Sequence, residues 1–325
     1  MEMKKLVTII IPCYNGQAYL ERFIESLKNQ TYKNLQIIFV DDGSSDNTLK
    51  ILRKYTRDFK EFAQYEVLTK ENGGAASAVN YALKHVKGEY LCWADCDDII
   101  EPYAIEKKAQ FLDKNEEYAL VMNWAKAYDY NTNNFIRNLS IKEEDRNENI
   151  FKKLIYPGVP CYPGVFMIRT RVLFERLNNK TITYDKNVGQ NWQLLLPVAY
   201  KNKCGYIDEY LYKYFVREDS HSHNTNYEKE LVRIECQERI LKETLYFIDK
   251  KDKNELFSFV DNVTKLKKMK QAFIAEDINT YKENLHNLKY KKNSKKYIKL
   301  YIKYFILKNK LLKRLYKRIK GEKCR

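Results

Sequence analysis

The sequence predicts an α/β fold: a mostly parallel sheet with helices on both faces, followed by a helical C-terminal extension. Three observations predict it. Strand-length apolar runs and helical patterns alternate four times within the first 100 of 325 residues. The apolar runs are continuous rather than alternating with polar residues, as expected of strands covered on both faces. From Tyr227 onward the composition shifts to Lys, Glu, Leu and Asn at helical spacing.

The elements follow in order. Leu6–Ile11 is the first strand, ended by Pro12, and Cys13-Tyr14-Asn15-Gly16 forms its loop. Leu20, Phe23, Ile24 and Leu27 share one helical face. Leu35–Val40 is a second buried strand. It runs into the turn-rich acidic loop Asp41-Asp42-Gly43-Ser44-Ser45-Asp46, where Ser45 or Asp46 is placed to cap a helix with Leu49, Ile51 and Leu52 turned inward. Tyr65–Thr69 is a third strand, and Asn72-Gly73-Gly74 opens a small-residue helix from Ala75 to His85. Tyr90-Leu91-Cys92-Trp93-Ala94 is a fourth strand, followed at once by Asp95-Cys96-Asp97-Asp98. In an open α/β sheet ligands sit beyond the carboxyl ends of the strands, so the three acidic or Gly-rich loops should share one edge. Clustered carboxylates repel unless a cation neutralises them, and Mg²⁺ or Mn²⁺ suits such oxygen ligands. Read alone, Asp-Cys-Asp-Asp fits a cation site and a solvated acidic turn equally. No Gly-x-Gly-x-x-Gly or Gly-Lys-[Ser/Thr] loop follows the first strand, which weighs against dinucleotide and P-loop enzymes.

Pro12-Cys13-Tyr14-Asn15, Val40-Asp41-Asp42-Gly43-Ser44-Ser45-Asp46 and Asp95-Cys96-Asp97-Asp98 resemble three signature motifs of family 2 glycosyltransferases, in the family's order and spacing. Gly74 to Asn80 resembles the segment between them. The resemblance is strong over residues 5–100 and looser to about residue 220. It implies a Rossmann-like, glycosyltransferase-A fold of the bacterial surface-polysaccharide type. It also implies a nucleoside-diphosphate sugar along the sheet edge, a divalent cation (Mn²⁺ or Mg²⁺) bridging its diphosphate, and transfer with inversion. By position, Tyr14 would stack near the nucleobase, with Pro12 shaping the strand exit and Asn15 beside it. Asp42 would accept a hydrogen bond from the base, and Asp41 would support the loop. Gly74 and Asn80 would line the donor site. Asp95 would lie near the ribose or donor sugar and join Asp97 at the metal, with Asp98 orienting that shell. Tyr14 packing the sheet edge and Asp41 forming a turn are the structural alternatives.

One segment departs from the pattern. Gly189-Gln190-Asn191-Trp192 aligns with the helix where the family places Glu-Asp, the Asp being the general base. An amide takes no proton at neutral pH. Three explanations stand. Asp185 is the base; or the base comes from Arg217-Glu218-Asp219-Ser220-His221-Ser222-His223, with Asp219 as its carboxylate; or Asn191 positions the acceptor without a strong base. The second and third are favoured. His221 or His223 also suits a late metal ligand, or a plain surface loop. The loop Tyr156-Pro157-Gly158-Val159-Pro160-Cys161-Tyr162-Pro163-Gly164 interleaves aromatics with Pro and Gly, and reads as an acceptor-side loop or a rigid connector. Helix 103–114, strand 118–130, a polar loop over 131–150, strand 165–168 and helix 170–177 complete the reading of this half.

The net charge of +16 is unevenly spread. Residues 289–325 hold 16 Lys and Arg against one acid, Glu322, while residues 1–288 hold 43 bases and 42 acids. Three parts are therefore expected: a catalytic domain over 1–225, helices over 226–288 and a basic tail over 289–325. In the tail Ile298, Tyr301, Ile302, Phe305, Leu312, Leu315 and Ile319 keep helical spacing among lysines. Such a helix suits an anionic membrane surface, at about 1 kcal/mol for each engaged basic residue. Packing of the stripe on the body is the alternative. No apolar run approaches a membrane span, and the six residues between Lys5 and Pro12 are too few for a signal peptide's apolar core. The seven cysteines lack paired spacing and read as reduced thiols. The expected setting is cytoplasmic, peripheral to the inner face of the cell membrane. The expected partners are a sugar-nucleotide donor and a glycan or lipid-linked acceptor in polysaccharide biosynthesis. The neutral body argues against nucleic acid. The alternative function is a non-catalytic module of this fold, tethered to a membrane assembly.

Overall fold

The computed structural model describes residues 4–57, 59–156, 161–185, 189–217, 226–289, 294–309, 312–314 and 316. The chain divides into two compact units: Met1–Ser220 with Glu243–Phe247, and His221–Lys242 with Ile248–Arg325.

The first unit is built on one sheet. Its opening strands β1 (Val7–Cys13), β2 (Leu35–Asp41), β3 (Gln64–Thr69) and β4 (Tyr90–Trp93) run parallel in the order β3-β2-β1-β4. Every residue of β1, β2 and β4 is buried, which is why these runs are almost wholly apolar. β3 lies at the edge and is only half-buried. Between them run α1 (Leu20–Lys28), α2 (Thr48–Lys54) and α3 (Ala75–Leu83). The expected inward face of α1, Leu20, Phe23, Ile24 and Leu27, is buried. In register, Cys13 of β1 faces Asp41 of β2, and Ile10 of β1 faces Trp93 of β4. The loops leaving β1, β2 and β4 therefore emerge at one edge.

Beyond β4 the sheet is mixed. After β5 (Ile99–Ile100) and α4 (Ala104–Lys114) comes β6 (Tyr118–Asp129), and later α5 (Phe151–Ile155), β8 (Phe166–Arg169), α6 (Thr170–Phe174), α7 (Asn191–Ala199) and β9 (Lys203–Val216). β8 lies antiparallel between β4 and β6, β9 is parallel to β6, and β5 is antiparallel to β9. The parallel character read from the first 100 residues thus holds throughout β1–β4, and in the second half for β6 with β9. Residues 131–150 are not all loop either: β7 (Phe135–Leu139) forms a hairpin with β6. Its turn is made by the Asp129 carboxylate, which accepts the N–H of Thr132 at 2.8 Å, and by Asn133 at φ +57°. Four of the five β7 residues are exposed, so this edge strand lacks the apolar pattern that marks buried ones.

The second unit holds most of α8 (Tyr227–Thr244), together with α9 (Lys250–Ile274), α10 (Ile278–His286) and α11 (Lys295–Lys308). Met269, Ala272, Tyr281, Leu285, Leu288 and Leu307 form its core, and Tyr297, Leu300 and Tyr304 of α11 pack against it. The first helix of the basic tail therefore shares a core with the helices that precede it. Asp277 caps α10 by accepting the N–H of Thr280, and Ser294 caps α11 by accepting that of Tyr297. No described helix is long and apolar enough to cross a membrane.

Candidate active site

The loops leaving β1 and β2 are stitched together. Asn15, at φ +47°, accepts the backbone N–H of Ser45 at 2.9 Å, and its own N–H donates to Ser44 Oγ at 3.0 Å. The Gly16 N–H donates to Thr48 Oγ1 at 2.7 Å. Pro12 and Cys13 are buried beneath, while the Tyr14 ring is half exposed at the sheet edge. Asp41 is buried, with one carboxylate oxygen lacking a hydrogen-bond partner. Asp42 is enclosed by the next loop. It accepts from Lys70 Nζ at 2.7 Å, from Asn72 Nδ2 at 3.2 Å and from the N–H groups of Gly73 and Gly74, the last at 2.7 Å. Gly74 adopts φ +87° to start α3 there, a conformation open to glycine. Both Asp42 oxygens thus have partners within the chain. Asn80 lies six residues further on in α3, and its side-chain oxygen accepts the N–H of Ile182 at 2.8 Å.

Past β4, Asp95, Asp97 and Asp98 bring carboxylate oxygens within 4.8 Å of one another. Asp98 is sealed in, accepting the Tyr212 hydroxyl at 2.7 Å and the Phe215 N–H at 2.8 Å. Burial, then the charges of Asp97 and Asp95, push its carboxyl well above the usual range. Asp95 is enclosed by protein though not sealed from solvent. Burial and the neighbouring Asp97 push it up to about 7, against the opposing pull of Arg217. The cluster is thus a place where positive charge is favoured. Its donors are all hard oxygens, and those of Asp95 and Asp97 are not sealed away as Asp98's are, so the set fits Mg²⁺ or Mn²⁺. Arg22 donates to the Asp97 backbone carbonyl at 2.7 Å with its guanidinium 3.7 Å from the centre of the Phe215 ring. Neither Arg22 nor Tyr212 is legible as a site residue in the sequence. Arg22 is one charge on a helix and Tyr212 one aromatic in an aromatic strand. Only the meeting of α1 and β9 at the cluster selects them.

Asn191 stands at the start of α7, with both ends of its amide engaged. It accepts from Trp93 Nε1 at 2.7 Å and donates to the Cys161 carbonyl at 2.6 Å. It ties the β4 strand to the loop around Cys161. Gln190 beside it is buried. Asp185 is half-buried. Asp219, His221 and His223 lie outside the described residues. Asn191→Asp removes the N–H that Cys161 needs and sets a carboxylate against a carbonyl. It is expected to cost about 1–3 kcal/mol in thermal unfolding and to give no gain in sugar transfer. A tenfold gain in rate would mark Asn191 as a vacant base position.

The family model described as Glycosyl transferase family 2 matches residues 8–177, more than half of the chain. The Bacillus subtilis minor teichoic acid biosynthesis protein GgaB is 30% identical over an alignment of 226 residues that covers 66% of this chain and 23% of that protein. The putative glycosyltransferase EpsE of Bacillus subtilis is 29% identical, covering 66% of this chain and 73% of its own length. An uncharacterized glycosyltransferase of Rickettsia typhi is 46% identical over 109 residues, and the match spans only 32% of its length. Among solved structures, S. aureus TarS 1-349 in complex with UDP-GlcNAc aligns with TM-score 0.57 and 21% identity, over 86% of this chain and 90% of that one. The Pyrobaculum calidifontis mannosyltransferase PcManGT, in complex with GDP-Man and Mn²⁺, aligns with TM-score 0.56 and 15% identity, over 94% of this chain and 86% of that one. These two share the fold. With the three loops gathered at one sheet edge and the family match running from β1 through α6, the chain belongs to glycosyl transferase family 2.

Proposed function

We propose that this chain is an inverting glycosyltransferase that moves a sugar from a nucleoside-diphosphate sugar, UDP-linked, to a glycan or lipid-linked acceptor in polysaccharide biosynthesis. The observation that carries the reading is the carboxylate cluster at the edge where the β1, β2 and β4 loops meet. The exposed Tyr14 ring offers a stacking face for the base. The Asp41-Asp42 loop, braced by Lys70 and the Gly73 and Gly74 amides, forms the wall beside it. Asp95 and Asp97 would hold the divalent cation, with Asp98 fixed behind them by Tyr212 and Phe215. When bound, that cation supplies Lewis-acid stabilisation of charge on the leaving diphosphate. Asn191 positions the loop around Cys161 on the acceptor side. Asp219 is our candidate for the base, and His221 for a further metal ligand. S. aureus TarS with UDP-GlcNAc and PcManGT with GDP-Man and Mn²⁺ motivate testing both bases. Thermal unfolding is to be followed with UDP, GDP and their sugars, with and without Mn²⁺ or Mg²⁺. A ligand at 100 times its Kd adds about 2.7 kcal/mol, so a metal-dependent shift with one base is expected. No shift with any nucleotide, in folded protein, favours the second reading: a non-catalytic module of this fold. The fully engaged Asn191 amide motivates that reading.

We also assign the basic tail to an anionic membrane surface at the cytoplasmic face, with α11 as our candidate contact. Ile298, Tyr301, Ile302 and Phe305 are all exposed at i, i+3, i+4 and i+7, while Tyr297, Leu300, Tyr304 and Leu307 face the core. The exposed Lys295, Lys299 and Lys303 border the outer stripe. The full chain is expected to float with phosphatidylglycerol vesicles and not with phosphatidylcholine ones, and to be released by 0.5 M salt. Ile302→Asp with Phe305→Asp should reduce flotation at least tenfold. Equal flotation by the double variant, or preferential capture by RNA, sinks the assignment.

A further inference from the structure

Among the described residues two guanidinium groups reach the carboxylate cluster, and they do different things. Arg22 bonds the Asp97 backbone carbonyl at 2.7 Å and is packed on aromatic faces, 3.7 Å from the centre of the Phe215 ring and 5.1 Å from that of Tyr130. It braces the loop whatever the Asp97 carboxylate holds. Arg217 instead pairs with that carboxylate, its Nη2 being 3.2 Å from Asp97 Oδ2, with both side chains about 20% exposed. Its guanidinium lies 4.4 Å from the centre of the Tyr19 ring. Arg217 is also the first residue past the end of β9, where the pairing of Val216 with Asp129 closes the ladder. Its side chain can leave Asp97 without breaking a strand bond.

We infer that Arg217 is the internal counter-cation of this site, held on Asp97 until a divalent cation takes its place. The inference rests on the metal reading given above. Charge supports it. Three carboxylates lie within 4.8 Å of one another, and the Arg217 guanidinium relieves their repulsion in part by pairing with an Asp97 oxygen. A divalent ion competes for the same Asp97 oxygen and meets the repulsion of Arg217 close by. A nucleoside diphosphate changes that balance, because its negative oxygens accept both the ion and the displaced guanidinium. The ion alone therefore binds weakly, ion and diphosphate strengthen each other, and Arg217 is the residue that couples them. It is a positioning and selectivity residue, keeping the site from filling with metal when no donor is present.

Mn²⁺ binding to the full chain, read from the electron paramagnetic resonance signal of the free ion, tests this without any turnover. Wild type, Arg217→Gln, Arg217→Lys and Asp97→Asn are compared with Mn²⁺ alone and with Mn²⁺ plus UDP or GDP. Arg217→Gln is expected to bind Mn²⁺ alone about tenfold more tightly than wild type. The strengthening by diphosphate should shrink by a similar factor, by linkage. Arg217→Lys, which keeps the charge, should stay within about threefold of wild type, and it guards against a folding artefact in the Gln variant. Arg217→Gln affinity for Mn²⁺ alone that is unchanged or weaker, while Asp97→Asn abolishes binding, overturns the inference and leaves the metal site standing. Wild-type Mn²⁺ binding that survives Asp97→Asn overturns the metal reading and the inference together.

Discussion

Asp97→Asn is expected to remove the metal-dependent part of nucleotide binding and to lower sugar transfer at least a hundredfold, with the fold intact. The substitution keeps the shape of the side chain and deletes one charge. Among the described residues, Asp97 pairs with a cation through Arg217. Asp98 is already committed to Tyr212 and Phe215. An amide oxygen is a much poorer ligand for a hard divalent ion than a carboxylate oxygen, so ion affinity falls even though Asp95 remains. A transition state that places charge on a leaving diphosphate would then lack the electrostatic support such an ion supplies, which is commonly worth several kcal/mol. Stability should move little or rise, because removing one of three crowded carboxylates relieves repulsion and lets Asp95 titrate below its present value of about 7. Thermal unfolding with and without Mn²⁺ and the nucleotide separates the two effects. Loss of fold in Asp97→Asn would show that Asp97 is structural. Unchanged transfer would show that the metal, if bound, does no chemistry through this residue.

Much of the active-site half was legible because its sequence and its structure obey the same local rules. β1 and β2 read as buried strands since all seven residues of each are inside the sheet. The loops at their ends read as functional because acids and glycines follow apolar runs directly. The second half was harder for physical reasons. β7 carries almost no buried surface, so no apolar pattern announced it. The antiparallel place of β8 is set by long-range pairing with β4 and β6, which four residues do not encode. Asp42 reads as a hydrogen-bond acceptor for the base, and its partners within the chain are not legible. It accepts from Lys70, Asn72, Gly73 and Gly74, contacts that arise only when two loops about 30 residues apart close on each other. The tail's periodicity was visible, yet which of its apolar positions face inward was not. Tyr297, Leu300, Tyr304 and Leu307 interleave with the exposed stripe, and only packing against Tyr281 and Leu285 sorts them. Lys108 gave no signal at all. It is a fully buried amine whose ordinary pKa is pulled down by desolvation and whose Nζ donates to the Gly164 carbonyl at 2.7 Å.

Gly164→Ala is expected to be the most damaging single methyl that this chain can acquire near the site. Gly164 adopts φ +82°, where side chains are strained. A Cβ there would lie 1.9 Å from Tyr212 Cε2 and 2.4 Å from Cδ2, inside a ring that is itself 1% exposed and has nowhere to go. Relief requires Tyr212 to move, and its hydroxyl is the 2.7 Å partner of Asp98. The glycine's backbone is held as well, by its N–H to the Trp93 carbonyl at 2.6 Å and by Lys108 on its own carbonyl. Displacing it strains Trp93, whose indole holds Asn191. One methyl thus disturbs the brace behind the acid cluster and the tie to the loop around Cys161 at once. Overpacking of this kind combined with a disallowed φ should cost at least about 3 kcal/mol, read as a lower denaturant midpoint. Nucleotide binding should fall with it. Tyr212→Leu in the same chain removes the ring that the methyl strikes. The double variant should therefore be more stable than the sum of the single losses, a coupling that a purely local backbone strain would not produce. Gly189 supplies the contrast: a Cβ added there meets nothing within 4 Å, so Gly189→Ala should change stability by no more than about 0.5 kcal/mol. A Gly164→Ala cost as small as that would mean that Gly164 and Tyr212 do not meet as the structure has them, and the account of how Asp98 is held would fall with it.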